Sequence, residues 1–434
     1  MPASSSSPSS ASPAAAVPAA WSPRYIAALV IGILVSLHLT VITLALATIL
    51  VFMGTIAQVE MGLYGALQKY FQCFFVMWQV PGTEFEIPIF PGGYLIGSVL
   101  LMNLICSHFY RFRFSWSKLG IWLTHFGLIV MLAGGLMTDL FSVESFLSLD
   151  LNQSKNYTES HRQAELALID TTDSKSDTVY TVPQTWLEPG RTIDDPRLPV
   201  KLRVNQYYPN IGLNARSADN SPPPGTPPLD GLGERLAWKG IPESNRIERP
   251  NRAAAVIEVL PSGSAGTSVP RIGAWFVADG LPGQELKVGD KTYKIVMRPK
   301  RYYKSYSMTL TKFTFDRYAG TEIPKNFAST VRITNPEHHE EDRNVLIYMN
   351  NPLRYMGETF YQNSVSNEEK TSILQVVRNP NWLLPYISCG MMTIGMLLQF
   401  GTHLSRYLSN KKRTERTARA YEFVSPSATP NSLL

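Results

Sequence analysis

Cysteine is scarce in this chain, with three among 434 residues, at positions 73, 106 and 389. They are far apart in the sequence and two lie in strongly apolar stretches, so no disulfide framework is indicated. The absence of a Cys-x-x-Cys pair argues against a thiol oxidoreductase of the thioredoxin type, and the absence of Cys-x-x-Cys-His means that the chain is not itself a c-type cytochrome. We interpret all three cysteines as small buried apolar residues.

Charged residues are absent from four long stretches, which are 25–53, 94–110, 119–138 and 382–405. A membrane hydrocarbon core of about 30 Å needs about 20 residues of helix, so each stretch can span a bilayer. The first stretch is longer than a span requires. We expect its span to occupy the later part, which places His38 nearer to one interface than to the bilayer centre.

Basic residues are distributed asymmetrically around these stretches. The loop after the second stretch and the tail after the fourth carry Arg111, Arg113, Lys118, Arg406, Lys411, Lys412, Arg413, Arg416 and Arg419. The loop 54–93 instead has one lysine and three glutamates. Because short cytoplasmic loops retain Lys and Arg, we expect a bacterial inner membrane protein with both termini in the cytoplasm. The basic flanks account for the net charge of +6, which needs no nucleic-acid partner.

The long segment 139–381 has a different pattern. It contains short runs rich in β-branched and aromatic residues, bounded by Pro, Gly or Asn, and this pattern predicts strands. Gly289 and Asp290 between two apolar runs predict a hairpin over 285–297, and the proline-rich run 220–231 predicts a loop. The expected fold class is an α-helical integral membrane protein of four spans, with a large extracytoplasmic β-rich domain between the third and the fourth.

The expected domain organisation follows from these patterns. It comprises a disordered cytoplasmic tail (1–24), three spans (25–138) with an extracytoplasmic amphipathic loop (54–93), the β-rich domain (139–381), the fourth span (382–405) and a basic cytoplasmic tail (406–434). The first tail is rich in Ser, Ala and Pro and lacks the charged n-region of a signal peptide. Within the loop, aromatic and apolar side chains recur over 64–78 at a helical period, which predicts an amphipathic interfacial helix.

Specific residues carry a resemblance to a known family. The run Asn-Asn-Pro-Leu-Arg-Tyr-Met-Gly-Glu-Thr-Phe-Tyr-Gln-Asn-Ser at 350–364, followed by Gln-Val-Val-Arg-Asn-Pro at 375–380 and the last apolar stretch, resembles the closing signature of the ResB (CcsB) family. Similarity extends to Gly-Thr-Ile-Ala-Gln after the first stretch, to the Asn103, Cys106 and Arg111 pattern, and to His-Phe-Gly at 125–127 with the following glycine pair. The resemblance covers most of residues 30–405.

The resemblance implies a haem-handling subunit of the System II cytochrome c maturation machinery. Such a subunit works with a ResC (CcsA) membrane partner to move haem b across the bilayer and present it to apocytochrome c for thioether attachment. The tryptophan-rich haem-handling segment of that partner has no counterpart here, so we expect an accessory subunit of a holocytochrome c synthase that is not catalytic alone. A thioredoxin-like reductant is a further candidate partner. The loop helix then serves either as a membrane anchor or as part of a haem platform.

Two other function classes remain open. The first is a scaffold that binds no haem and docks apocytochrome c or its thiol reductant for the partner subunit. The second is a transporter or sensor unrelated to haem. An absorption spectrum of the purified complex distinguishes a haem-handling subunit from the scaffold, because only the former retains haem bands.

Histidines are the candidate haem ligands, since a neutral imidazole can donate a ring nitrogen to haem iron. The chain has seven, and four lie in or at the ends of the apolar stretches. His125 is the main candidate for an axial ligand, and the resemblance places it at the family's intramembrane ligand position. His108 and His38 are weaker candidates. A histidine at a helix end, such as His108 or His403, commonly extends to head groups. His338 and His339, beside acidic residues, are interpreted as a charged turn, and no metal site beyond haem iron is expected.

Reporter fusions test the predicted topology. Fusions after residues 115 and 430 should report a cytoplasmic location, and fusions within 160–370 should report a periplasmic one, because the basic flanks are retained on the cytoplasmic side. A periplasmic signal from the fusion after residue 430 would reject the arrangement with four spans.

Overall fold

The computed structural model describes residues 23–83, 85–110, 115–173, 176–217, 221–244, 251–262, 271–321, 324–337, 340–366 and 370–424. Most of the predicted tail 1–24, the loop arginines Arg111 and Arg113, and the predicted turn at His338 and His339 lie outside these residues. The chain divides into a helical unit within Met1–Ile56, Leu67–Met137 and Trp382–Leu434, and a β-rich unit formed by Ala57–Ala66 and Thr138–Asn381.

The described helices are α1 (Pro23–Leu34), α2 (Leu37–Ala66), α3 (Gly93–Tyr110), α4 (Leu119–Phe141) and α5 (Leu384–Val424). Among the described residues, four helical segments are long and apolar enough to cross a membrane, as the sequence predicts: Leu37–Phe71, Gly93–Tyr110, Trp116–Phe141 and Leu384–Thr417. The first apolar stretch is divided between α1 and α2, and its later part forms the long segment.

Asn103 explains the break between α1 and α2. Its side chain is 2% exposed, and its Nδ2 donates to the carbonyl oxygens of Leu34 (2.6 Å) and Ser36 (3.2 Å). Its Oδ1 accepts a hydrogen bond from Thr40 Oγ1 at 2.7 Å. A helix break exposes carbonyl groups that are costly to leave unsatisfied in apolar surroundings. The amide of Asn103 satisfies them from α3, so a non-local contact permits a break that contains neither Gly nor Pro.

A glycine face on α4 packs directly against α5. Gly120, Gly127 and Gly134 are buried and recur every seven residues, so they lie on one side of the helix. A Cβ added at Gly120 would lie 2.7 Å from the Gly395 carbonyl oxygen of α5. Small residues allow helix backbones to approach this closely within a membrane. Gly135, the neighbour of Gly134, is different, because a Cβ there would meet nothing within 4 Å.

Substitution of these glycines tests the contact. Gly120→Ala should destabilise the helical unit by about 1–3 kcal/mol, because its Cβ would force two backbones apart. Gly135→Ala is the matched control and should be neutral or slightly stabilising, since alanine favours the helix by about 1 kcal/mol over glycine. Thermal unfolding of the detergent-solubilised protein measures both. Equal midpoints for the two variants would show that the α4–α5 backbones are not in contact.

A β-hairpin lies between α2 and α3. Strand β1 (Phe75–Gln79) pairs antiparallel with β2 (Glu86–Pro91). The predicted amphipathic helix over 64–78 is therefore wrong beyond Phe71, where a short π-helical turn ends. The aromatic and β-branched residues of this segment have β propensity, and a partner strand follows a Pro-Gly turn, so pairing outweighs the helical spacing of the aromatic residues.

The β-rich unit contains sixteen strands among the described residues. They are β3 (Val143–Asp150), β4 (Ser154–Asp170), β5 (Thr178–Pro183), β6 (Thr192–Ile193), β7 (Val200–Tyr208), β8 (Ile211–Ala215), β9 (Leu236–Gly240), β10 (Ala254–Pro261), β11 (Gly273–Ala278), β12 (Gln284–Val288), β13 (Lys291–Arg317), β14 (Pro324–Asn335), β15 (Glu340–Tyr348), β16 (Leu353–Tyr355), β17 (Glu358–Ser366) and β18 (Thr371–Arg378).

These strands form three sheets. The largest has ten strands, in the order β15-β14-β13-β4-β3-β18-β17-β16, with β12 also paired to β13 and β5 to β4. A second has the order β11-β10-β7-β6, and β8 and β9 form a third. The predicted hairpin at Gly289 and Asp290 is confirmed as β12–β13, with Gly289 at a φ of 59°. The large β-rich region predicted from the sequence is thus present.

The long strand β13 contributes to two separate hydrophobic cores. The later half of β4, through Leu166, and the early half of β13, through Ile295, pack with Ile257 of β10. The later half of β13, through Leu310, packs instead with Val331 of β14 and the strands beyond it. Sharing of β13 ties the two cores together, because neither can open without disturbing one continuous strand.

The family-like run 350–364 forms a tight hairpin in this unit. Met356 and Gly357 connect β16 to β17, with φ values of 49° and 76°. Two positive φ values in a two-residue loop are typical of a type I′ turn, whose twist matches that of the strands. Glycine adopts this conformation readily, but the Cβ of Met356 makes it unfavourable there. The turn therefore carries local strain at Met356.

Met356→Gly should relieve this strain and stabilise the hairpin by about 0.5–1 kcal/mol. Met349, which is also exposed and has no positive φ, provides the matched control. Met349→Gly should destabilise the β-rich unit, since glycine at this position only adds conformational freedom to the unfolded chain. Amide hydrogen exchange of β16 and β17 in the full-length protein measures the local opening free energy. Faster exchange in Met356→Gly would contradict the assigned turn.

Candidate functional site

His125 lies on α4 and is half-buried within this chain. Its Nδ1 is 2.9 Å from the carbonyl oxygen of Ile121, one turn earlier. A carbonyl oxygen only accepts, so Nδ1 carries the proton in this bond and Nε2 presents the lone pair. This is the tautomer in which an imidazole binds a metal through Nε2, with the other ring nitrogen held by a backbone carbonyl.

The glycine face of α4 determines the direction of His125. Helical residues are about 100° apart around the axis, so His125 lies about 160° from Gly127. Because Gly127 contacts α5, His125 is on the opposite side of α4. Trp122 lies on that same side. The face that bears His125 is therefore directed away from α5.

His108, at the last turn of α3, is 1% exposed and packs against this face. Its ring centroid is 4.9 Å from that of Trp122 and 5.9 Å from that of Phe126. The Trp122 and Phe126 rings are stacked, with centroids 5.3 Å apart and planes 10° from parallel. His125 lies three residues after Trp122, on the same side of α4. We call His108, Trp122, His125 and Phe126 the histidine–aromatic cluster.

The other two histidines of the apolar helices lie elsewhere. His38 is exposed in the first turn of α2, where Ser36 Oγ lies 3.5 Å from its Nδ1. His403 is exposed on α5, and the side-chain amide of Gln399 donates to its Nε2 at 2.7 Å. The structure thus brings two of the three candidate ligands, His108 and His125, into one cluster. Their proximity depends on the packing of α3 against α4, which no local sequence pattern specifies.

The cluster suits one planar, largely apolar metal complex better than a bare metal ion. Among the described residues, no group of three or more His, Cys, Asp or Glu is arranged to hold a metal ion. A haem requires only one or two axial donors from protein, and its faces require apolar contact. His125 supplies a suitably protonated imidazole, and Trp122 and Phe126 supply stacked apolar rings. These residues fit haem.

A second site of interest is a cavity in the β-rich unit, of about 390 Å³. Its wall includes the segment Ser160 to Gln163, where β4 bulges out of register with β13. Asp279 also lines the cavity, and burial raises the pKa of this carboxyl group. His161 lines it as well, with its ring centroid 5.2 Å from that of Phe146. Sequence reasoning missed this cavity because its walls come from distant segments.

The family-like run contributes to the fold of the β-rich unit. Glu358 is 6% exposed, and it accepts hydrogen bonds from Tyr306 Oη (2.7 Å) and from Lys304 Nζ. Burial, followed by the adjacent Glu358 carboxylate, raises the pKa of Tyr306. The ring of Tyr355 packs edge-on against Tyr306 at 4.9 Å. A buried carboxylate with two donors stabilises this hairpin on β13, so the run has a structural role.

The chain is similar to one protein family and to one characterised relative. The sequence profile of the ResB-like family matches residues 254–373, which include β10 to β17. Protein NrfI of Wolinella succinogenes is 27% identical over 131 residues, which is 30% of this chain and 14% of NrfI. This chain therefore spans a small part of that relative. The profile match includes the signature at 350–364, and both matches support the resemblance to the ResB family that the sequence motifs indicate.

Proposed function

We propose that this chain is a haem-handling subunit of cytochrome c biogenesis, acting in a System II complex with a ResC-type membrane partner. The family assignment supports a role in cytochrome c biogenesis, and the four apolar helices support a membrane location. In this proposal the complex lies in the bacterial inner membrane with both termini of this chain in the cytoplasm. The β-rich unit is extracytoplasmic and receives apocytochrome c.

The histidine–aromatic cluster is the observation that carries the haem proposal. His125 offers Nε2 for axial coordination, because Ile121 holds Nδ1 in the protonated state. Trp122 and Phe126 offer nearly parallel rings against which a porphyrin can pack. His108 is buried beside both rings and supports their positions. When bound, haem supplies the iron and the vinyl groups that become attached to apocytochrome thiols.

The partial exposure of His125 supports a haem site that is shared with a partner subunit. This residue is half-buried and lies on the side of α4 that faces away from α5, so this chain covers only part of a ligand bound there. A haem in the membrane needs apolar cover on both faces. A ResC-type helix packed on the same side would provide the remaining cover and a second axial ligand. This chain then binds and orients haem, and the partner completes the site.

The scaffold alternative also has a supporting observation, which is the cavity at the β4 bulge. Its wall, which combines polar and apolar surface, suits a peptide segment. This function requires no haem on the chain. In that case the purified complex would lose no haem when the histidine–aromatic cluster is altered. The two functions therefore differ in one measurable quantity, the haem content of His125 variants.

His125→Ala, co-expressed with the ResC partner, should yield a folded complex with several-fold less haem and less mature cytochrome c. The physical reason is the loss of the axial donor without the loss of a large apolar side chain. Added imidazole is small enough to enter the vacated space and coordinate iron, so it should restore part of both quantities. Absorption spectra of the purified complex and haem-stained reporter cytochrome measure the outcome.

Two variants serve as controls for this experiment. His161→Ala, in the β-rich unit, should retain haem content, because His161 is not part of the histidine–aromatic cluster. His108→Phe keeps an aromatic ring beside Trp122 and should reduce haem less than His125→Ala. Full haem occupancy and an unchanged spectrum in His125→Ala would reduce His125 to a packing residue and favour the scaffold function.

A further inference from the structure

The β1–β2 hairpin has one face that is apolar along its whole length. Residues directly opposite in an antiparallel pair share a face, and alternate residues along a strand return to it. Val76 is opposite Phe90 and Trp78 is opposite Ile87. The backbone N–H of Val80 donates to the carbonyl oxygen of Phe85, so these two residues are the next opposite pair on the same face. The apolar hairpin face comprises Val76, Trp78, Val80, Phe85, Ile87 and Phe90.

Only the base of this face is covered by the chain itself. Val76 is 1% exposed and packs with Leu50 of α2 and Ile96 of α3. Further out, Trp78 is 47% exposed and Phe85 is 71% exposed. A strand rises about 3.3 Å per residue, so the uncovered part extends about 13 Å from Val76. The face that begins against two membrane helices thus continues beyond them.

The opposite face of the hairpin changes character toward its tip. Phe75 and Met77 lie nearest the helices, but Gln79 and Glu86 form the outermost pair of the ladder. Among the described residues of the two strands, the polar side chains near the tip therefore lie on this opposite face. The two faces of the hairpin therefore differ: Gln79 and Glu86 lie on the face opposite the apolar hairpin face.

The base of the hairpin is held at the start of α3, against the turn that follows α2. Gly92 and Gly93 approach the turn after α2 so closely that an added Cβ would lie 2.3 Å from the Cys73 carbonyl oxygen and 2.4 Å from that of Phe71. The N–H of Gly92 also donates to the Phe74 carbonyl oxygen at 2.8 Å. The hairpin cannot move away from the ends of the two spans without breaking these contacts.

Two physical limits define where such a hairpin is stable. An isolated two-stranded hairpin is marginal in water, particularly with exposed aromatic side chains. Its open edges carry unpaired N–H and C=O groups, which cannot enter a hydrocarbon core. The head-group region satisfies both limits, because water and head groups hydrate the edges while acyl chains cover apolar side chains. Trp is enriched at that depth, and Phe occurs on the apolar side of segments that lie in the interface.

We propose that this hairpin is a membrane-interface anchor whose ligand is the lipid surface around the spans, with Trp78 and Phe85 inserted at the boundary between head groups and acyl chains. The proposal rests on the membrane location of α2 and α3 and is independent of haem binding. Lipid is the occupant because the apolar hairpin face continues from the lipid-embedded helices and carries a single polar group, the Trp78 indole N–H, which reaches head groups.

Depth-dependent fluorescence quenching tests the anchor. An environment-sensitive fluorophore is coupled to Phe85→Cys or Gln79→Cys in a chain with Cys73→Ala, Cys106→Ala and Cys389→Ala, reconstituted in phosphatidylethanolamine–phosphatidylglycerol nanodiscs. The fluorophore at 85 should be quenched several-fold more strongly by spin-labelled lipid than that at 79. Aqueous iodide should give the reverse order. Equal iodide quenching at both positions would overturn the proposal.

A second measurement uses the native cysteines and includes the partner subunit. Phe85 is replaced by a photo-crosslinking phenylalanine analogue, with Gln79 replaced in the control, and the chain is co-expressed with its ResC partner. Lipid adducts at 85 and few at 79 are expected. A protein crosslink from 85 to the partner would overturn the proposal and assign the face to subunit docking. Haem content should be unchanged by either replacement, which separates this result from that of His125→Ala.

Discussion

The backbone contact between α4 and α5 is the constraint on which the histidine–aromatic cluster depends. Gly120 and Gly395 each lack the Cβ that would separate the two helices, and an added Cβ at either would fall within 3 Å of the opposite backbone. Rotation of α4 about its axis would bring side chains into this contact. The rotational position of α4 is therefore restricted, and His125 is directed to the opposite side. The direction of the His125 side chain is thus determined by the contact between Gly120 and Gly395, in which His125 takes no part.

The position of α3 depends on a second polar contact within the helical unit. Asn103 binds carbonyl oxygens at the α1–α2 break, and His108 follows about one and a half turns later on the same helix. A buried amide that satisfies several backbone groups costs more to displace than an apolar side chain of similar size. Asn103 therefore holds α3 against α2, and this position allows His108 to reach Trp122 and Phe126.

Local patterns were sufficient to predict the four apolar helices, the β-rich region and the Gly289–Asp290 hairpin, because each depends on hydrophobicity or turn chemistry nearby. The strand Phe75–Gln79 was not predicted, since its aromatic residues also fit a helical period and its partner strand decides the outcome. The length of β13 was also missed, because Pro299 indicates an interruption. The strand continues past it where β4 bulges. The pairing of His108 with His125 required tertiary packing and had no local signal.

The bulge in β4 links the cavity to the end of α2. Ala164 pairs with Pro299 and Glu159 pairs with Arg301, so four residues of β4 bulge where β13 has one unpaired residue. The bulge places the Arg162 guanidinium 3.7 Å from the centre of the Tyr64 ring, and Tyr64 donates to Glu144 Oε2 at 3.2 Å. Residues 57–66 join the β-rich unit through these contacts. Gly62, with φ 77° and ψ 169°, adopts a backbone conformation that is essentially restricted to glycine. A glycine in α2 and a bulge in β4 are therefore two parts of one attachment, and Arg162, which contacts Tyr64, also lines the cavity with the other bulge residues.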